Sequence, residues 1–169
     1  MCFVHSDDEI LFHRFMHCRW AGIVAQIMQS GGLECNHISS HEDFVEAMWE
    51  KLLWSSIFWL LSDALGGLPV GAIAQQHAHH VQELTSELLP LLMIREPRNA
   101  LFESEMVDRL CAYSNSIADA VPSKSMAISE FEWRNGWFLA QKVTPCHVKW
   151  LRYAGVSDDV LKMPNLFLD

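Results

Sequence analysis

Lys51 is the side chain of this sequence with the clearest opening for acid chemistry. It sits between Trp49-Glu50 and Leu52-Leu53-Trp54, at the edge of an apolar run with helical spacing. An ammonium drawn partly out of water gives up its proton more readily and can serve as a general acid. The same placement also suits a lysine that lays its stem along an apolar helix and keeps its charge in water, and spacing alone favours that second reading. Ser55 follows one turn later and can offer a hydroxyl to the same face. Glu130 can orient a cation or, with Glu132, form the solvated acidic first turn of a helix. The pair Asn135-Gly136 points to a turn or a close helix crossing more than to chemistry.

Histidine and glycine open two other chemistries. His13 and His17 are four apart, the spacing at which two imidazoles share a cation, and His77, His79 and His80 cluster further on. Neither group has a third ligand at fixed spacing, so no metal site is expected. A dinucleotide cradle needs a glycine-rich turn between a strand and a helix, and the sequence has no GxGxxG. Gly66-Gly67 and Gly71, with Pro69 among them, lie between two helical runs and read as a helix–helix corner.

Helices must position all of these groups. Apolar residues recur at helical spacing from Asp8 to Ser30, and Gly31-Gly32 stops that run. Leu33 to Ile38 alternates weakly, as a short extended connector too small to make a sheet alone, so strand content should be close to nil. Ser40 is a good N-cap for a second long helix that reaches Gly66-Gly67, with Glu42 and Asp43 in its first turn. A third helix opens at Pro69 and runs toward Met93, with Pro90 kinking or ending it. A fourth runs from about Leu101 to Ile117 and stops before Val121-Pro122. Ser123-Lys124-Ser125 is then loop, followed by helical segments over Ile128 to Lys142 and Pro145 to Ala154, with Thr144 capping the last.

The totals set the class. At 169 residues the chain is long enough to bury one sizeable core, and a single domain over 1–169 is expected. Seven Trp and nine Phe argue for a packed interior. The net charge of -9 and scattered basic residues disfavour nucleic acid. Five widely spaced cysteines suggest neither a disulfide framework nor a zinc knuckle. The opening residues lack the pattern of a secretory signal, and the longest apolar stretch, Leu52 to Leu65, is too interrupted and short for the roughly 20 residues of a membrane span. A reducing interior, cytoplasmic or organellar, is the expected compartment.

One arrangement goes further. The segment Met48-Trp49-Glu50-Lys51-Leu52-Leu53, then Leu65-Gly66-Gly67-Leu68-Pro69-Val70-Gly71, then Ser125-Met126 and Glu130 through Asn135-Gly136, resembles the ketopantoate reductase family in order and spacing across residues 22–155. The resemblance implies an all-α, multi-helix domain of the C-terminal 6-phosphogluconate dehydrogenase and ketopantoate reductase type, without its Rossmann half. It implies that Lys51 protonates the carbonyl oxygen of a 2-oxo acid while NADPH, held by a Rossmann-type domain outside this sequence, delivers hydride. Glu130 then orients Lys51, and Ser55, Ser125 and Asn135 contact substrate. Where the family carries asparagines one and two turns after its lysine, this chain has Ser55 and Trp59. A non-catalytic interaction or dimerisation module on the same scaffold is the alternative. Convergence of Lys51, Ser55 and Glu130 on one cavity distinguishes the two.

Overall fold

The structure is a computed structural model and describes residues 2–5, 21–32, 35–38, 40–93 and 103–161. The expected helix over Asp8 to Ser30 is described from Ala21 onward; its first part, with His13 and His17, lies outside the described residues. The chain divides into two compact units, Met1–Trp49 and Glu50–Asp169.

The first unit is a β-α-β crossover. Strand β1 (Cys2–His5) and strand β2 (Cys35–Ile38) pair in parallel, from Cys2 opposite Cys35 to His5 opposite Ile38. Between them runs α1 (Ala21–Ser30). It packs on both strands, and the Gln29 side-chain amide donates to the Cys35 carbonyl at 2.8 Å. Gly31-Gly32 ends α1 as expected, with Gly32 at φ 79°. Of the connector read over Leu33 to Ile38, Cys35–Ile38 is a strand, because a partner about thirty residues upstream satisfies its backbone groups, a pairing no local pattern announces; Leu33 and Glu34 lie outside the described residues.

Helix α2 (His41–Ala64) opens on Ser40, whose hydroxyl accepts from the Asp43 amide at 3.1 Å, and continues into the second unit. There it buries Leu53, Ile57, Phe58 and Leu61 completely. Helix α5 (Glu103–Ser116) meets the same stretch: Trp54 Nε1 donates to Ser114 Oγ at 2.8 Å, and Arg109 pairs with Glu50 at 3.2 Å.

The glycines after α2 form the expected corner. Gly67 donates back to the Ser62 carbonyl at 2.7 Å, and the Ser62 hydroxyl holds the Leu68 carbonyl at 2.7 Å. Helix α3 (Val70–Gln76) then lies so close to the end of α5 that a Cβ on Gly71 would sit 2.5 Å from that of Ala118.

The run from Pro69 to Met93 is not one helix ended by Pro90. It breaks at His77, and Pro90 lies exposed inside α4 (Ala78–Met93). Both α3 and α4 pack on α5, so the chain bends where the second helix must return to it. Pro90 has no N–H to give the preceding turn, and its exposed place puts that missing hydrogen bond on the solvent side of the helix.

The C-terminal third departs further from expectation. Of the expected loop only Ser123 is one: it caps α6 (Lys124–Ser129), its hydroxyl accepting from the Met126 amide, while Lys124 and Ser125 are helical. The segment from Ile128 to Lys142 is not one helix either. A π-turn (Glu132–Gly136) separates α6 from α7 (Trp137–Gln141), and α8 (Pro145–Tyr153) and α9 (Asp158–Leu161) follow. The second unit is therefore all-α among its described residues.

Candidate functional site

A cavity of about 380 Å³ opens inside the second unit. Trp59, Leu60 and Asp63 line it from α2, Lys124, Ala127 and Ile128 from α6, and Phe131 and Asn135 from the π-turn and its approach. Leu151, the chain after α8 and Val160 close the other side. This volume falls within the range of small-molecule sites, as does a largely apolar lining with a few polar groups. The polar groups are an ion pair between Lys124 Nζ and Asp63 Oδ1 at 3.0 Å, the Asn135 amide and Ser157.

Asn135 reaches the cavity because the backbone is held in a π-turn. The Gly136 amide donates to the Phe131 carbonyl at 2.7 Å, one residue further back than in an α-helix. A Cβ on Gly136 would stand 2.9 Å from that same carbonyl oxygen. Glycine is therefore needed to close the turn, and turns of this kind concentrate at functional sites. The Asn135-Gly136 pair does the structural work expected of it and also delivers a polar side chain.

Behind Asn135 stands His147. Its Nε2 lies 2.9 Å from Asn135 Oδ1, and its ring is completely buried, packed edge-on to Phe138. Burial pushes the imidazole down to about 4, against the nearby Glu87 charge, so the ring is neutral near pH 7. Glu87 reaches across from α4 and accepts from the Cys146 and His147 amides at 2.9 and 3.0 Å. Thr144 does not cap α8 through its side chain; this carboxylate does. Partial burial works to raise the Glu87 pKa, but the nearby Thr144 hydroxyl, then the Cys146 and His147 amides and the His147 ring, hold it below the ordinary carboxylate value.

The five residues expected to do chemistry do not gather here. Of them, Asn135 alone lines the cavity. Lys51 is exposed on α2. Ser55 is buried and its hydroxyl donates to the Leu52 carbonyl of its own helix at 3.1 Å. Ser125 is exposed and shares a hydrogen bond with Ser123 at 2.8 Å. The Glu130 carboxylate is held by Arg134, whose guanidinium in turn lies 3.7 Å over the Trp59 ring. Trp59 thus forms a cavity wall capped by a cation.

His147 was missed by the sequence reading. The signal was present: His147, Trp150 and Leu151 share the buried stripe of α8 at helical spacing. The glycine corner makes no phosphate cradle, since the Val70 and Gly71 amides already donate to the Ala120 and Ala118 carbonyls at 3.0 Å. Among the described residues no group of three or more His, Cys, Asp or Glu side chains stands ready for a metal, and no helix is long and apolar enough to cross a membrane.

No family model matches this chain, and no curated protein or solved structure matches it either.

Proposed function

We propose that the second unit is a non-catalytic helical module that binds a small, mainly apolar molecule in this cavity. The composition of the lining carries the reading: apolar walls from three helices, and polar groups confined to Asn135, Ser157 and one internally neutralised ion pair. Of the groups that could do acid or base work, Glu130 is neutralised by Arg134 and Ser55 is committed to its own helix.

Trp59 reports on occupancy. Titration of the chain with small apolar compounds bearing varied polar ends, followed by tryptophan fluorescence, gives a saturable change for at least one of them. Ala127→Phe narrows the cavity from α6, a helix that buries none of its residues, and weakens binding at least tenfold. A titration flat for every compound overturns the reading.

A second reading is favoured by the β1-α1-β2 crossover. Parallel strands joined through a helix are the unit that dinucleotide-binding sheets repeat. On this reading the module is the substrate half of an NADPH-dependent 2-oxo acid reductase, with Lys51 as proton donor, Glu130 as its orienting partner once the site assembles, Ser55, Ser125 and Asn135 as substrate contacts, and the nucleotide held by a Rossmann-type domain or partner. Saturable binding of 2-oxo acids that Lys51→Ala abolishes supports it; indifference to that substitution removes it.

A further inference from the structure

An asparagine alone is a poor selector. Its amide has an acceptor end and a donor end of nearly equal shape, and a turn about the last bond exchanges them. Whether Asn135 shows the cavity an oxygen or an N–H therefore depends on what holds the other end. In this fold that partner is His147.

The neutral ring of His147 carries one N–H. Its Nδ1 is buried without a hydrogen-bond partner among the described residues. A proton on Nδ1 would be a buried donor with no acceptor, and orphaned N–H groups are rarer in proteins than orphaned acceptors. The proton therefore resides on Nε2, which donates to Asn135 Oδ1 at 2.9 Å. The Asn135 oxygen is spent, and its amide nitrogen is the polar atom left for the cavity. The backbone cannot swing the side chain elsewhere, because Gly136 closes the π-turn against Phe131.

Charge narrows the choice. The one cation in the lining, Lys124, is already matched by Asp63. An anionic ligand would meet the Asp63 carboxylate beside that ammonium and be repelled by it, whereas a neutral oxygen meets Asn135 without disturbing the pair.

We infer that the ligand of this cavity carries a neutral carbonyl oxygen, as in a ketone, ester or amide, received by the Asn135 N–H groups, and that His147 is the positioning residue that makes the amide present donors only. This inference rests on the cavity being a binding site.

The test compares three eight-carbon probes on the full chain by calorimetric titration: 2-octanone, octylammonium and octanoate. The ketone binds at least tenfold tighter than either charged probe. His147→Phe keeps an aromatic ring against Phe138 but releases the amide, and the preference of ketone over octylammonium falls toward one. That ratio survives partial unfolding of the variant, because both probes lose the same folded fraction. Asn135→Leu weakens the ketone at least tenfold. If octylammonium matches the ketone on the unaltered chain, or the ratio is unchanged in His147→Phe, the inference falls while the cavity reading stands. Octanoate as the tightest probe overturns the neutral carbonyl. Failure of all three probes removes the cavity reading and the inference together.

Discussion

The cavity has two walls built to different standards. Helix α8 buries His147, Trp150 and Leu151, and a carboxylate from α4 holds its N-terminus. Helix α6 buries none of its residues, is capped by an exposed serine, and leaves Met126 and Ile128 facing water. One wall is part of the core; the other rests on it. The difference shows where a binding site of this kind can give: a ligand entering against α8 meets packed side chains, and one entering past α6 displaces little.

The largest contrast lies in a matched pair of truncations. Leu151 is 1% exposed and Ile128 67% exposed, although both line the cavity. Leu151→Ala lowers stability by about 2–5 kcal/mol, and Ile128→Ala stays within about 0.5 kcal/mol, as urea unfolding will show. Equal losses would mean that the walls are alike.

Acid probes the packed wall next. His147 titrates near 6.5 when unfolded and near 4 when folded, so the unfolded chain binds the extra proton between those values. Stability rises with pH across that window, and roughly 3 kcal/mol is lost as pH falls from 6.5 to 4. The lowered Glu87 adds loss of the same sign below 4.5. In His147→Phe the first of these slopes disappears from a plot of unfolding midpoint against pH.

The caps give the smallest and most local contrast. Glu87→Ala strips the Cys146 and His147 amides of their acceptor and costs about 1–3 kcal/mol globally. Ser123→Ala costs about 1 kcal/mol of α6 alone. Amide exchange will therefore speed in Met126 and its neighbours while the global midpoint barely moves. A midpoint shift as large as that of Glu87→Ala would join α6 to the core.

What the sequence disclosed follows the same division. The Ser40 cap, the corner at Gly66-Gly67 and the stop at Gly31-Gly32 depend on residues within a few positions of one another, and each stands where it was read. The break at His77, the cap on α8 and the pairing of β1 with β2 depend on partners tens of residues away. Glu87 lies 59 residues before the Cys146 amide it holds, and nothing local to Pro145 requires it. Asn135 was singled out for its glycine neighbour, which proves to close a π-turn; the histidine that gives its amide a direction lies 12 residues on, in another helix. Lys51, Ser55 and Glu130 were legible as chemistry-bearing types, but their use depends on which groups reach them, and Arg134 and the Leu52 carbonyl reach Glu130 and Ser55 first.

The glycine corner will record two kinds of constraint as the sequence drifts. Gly66 and Gly67 have φ of 82° and 88° with open space around them, so what they forbid is an angle, and asparagine, which tolerates that region, is an acceptable heir at either place. Gly71 has no such angle but lies against Ala118. Any heir there must be as small as glycine, so position 71 stays fixed while its two neighbours in the corner wander.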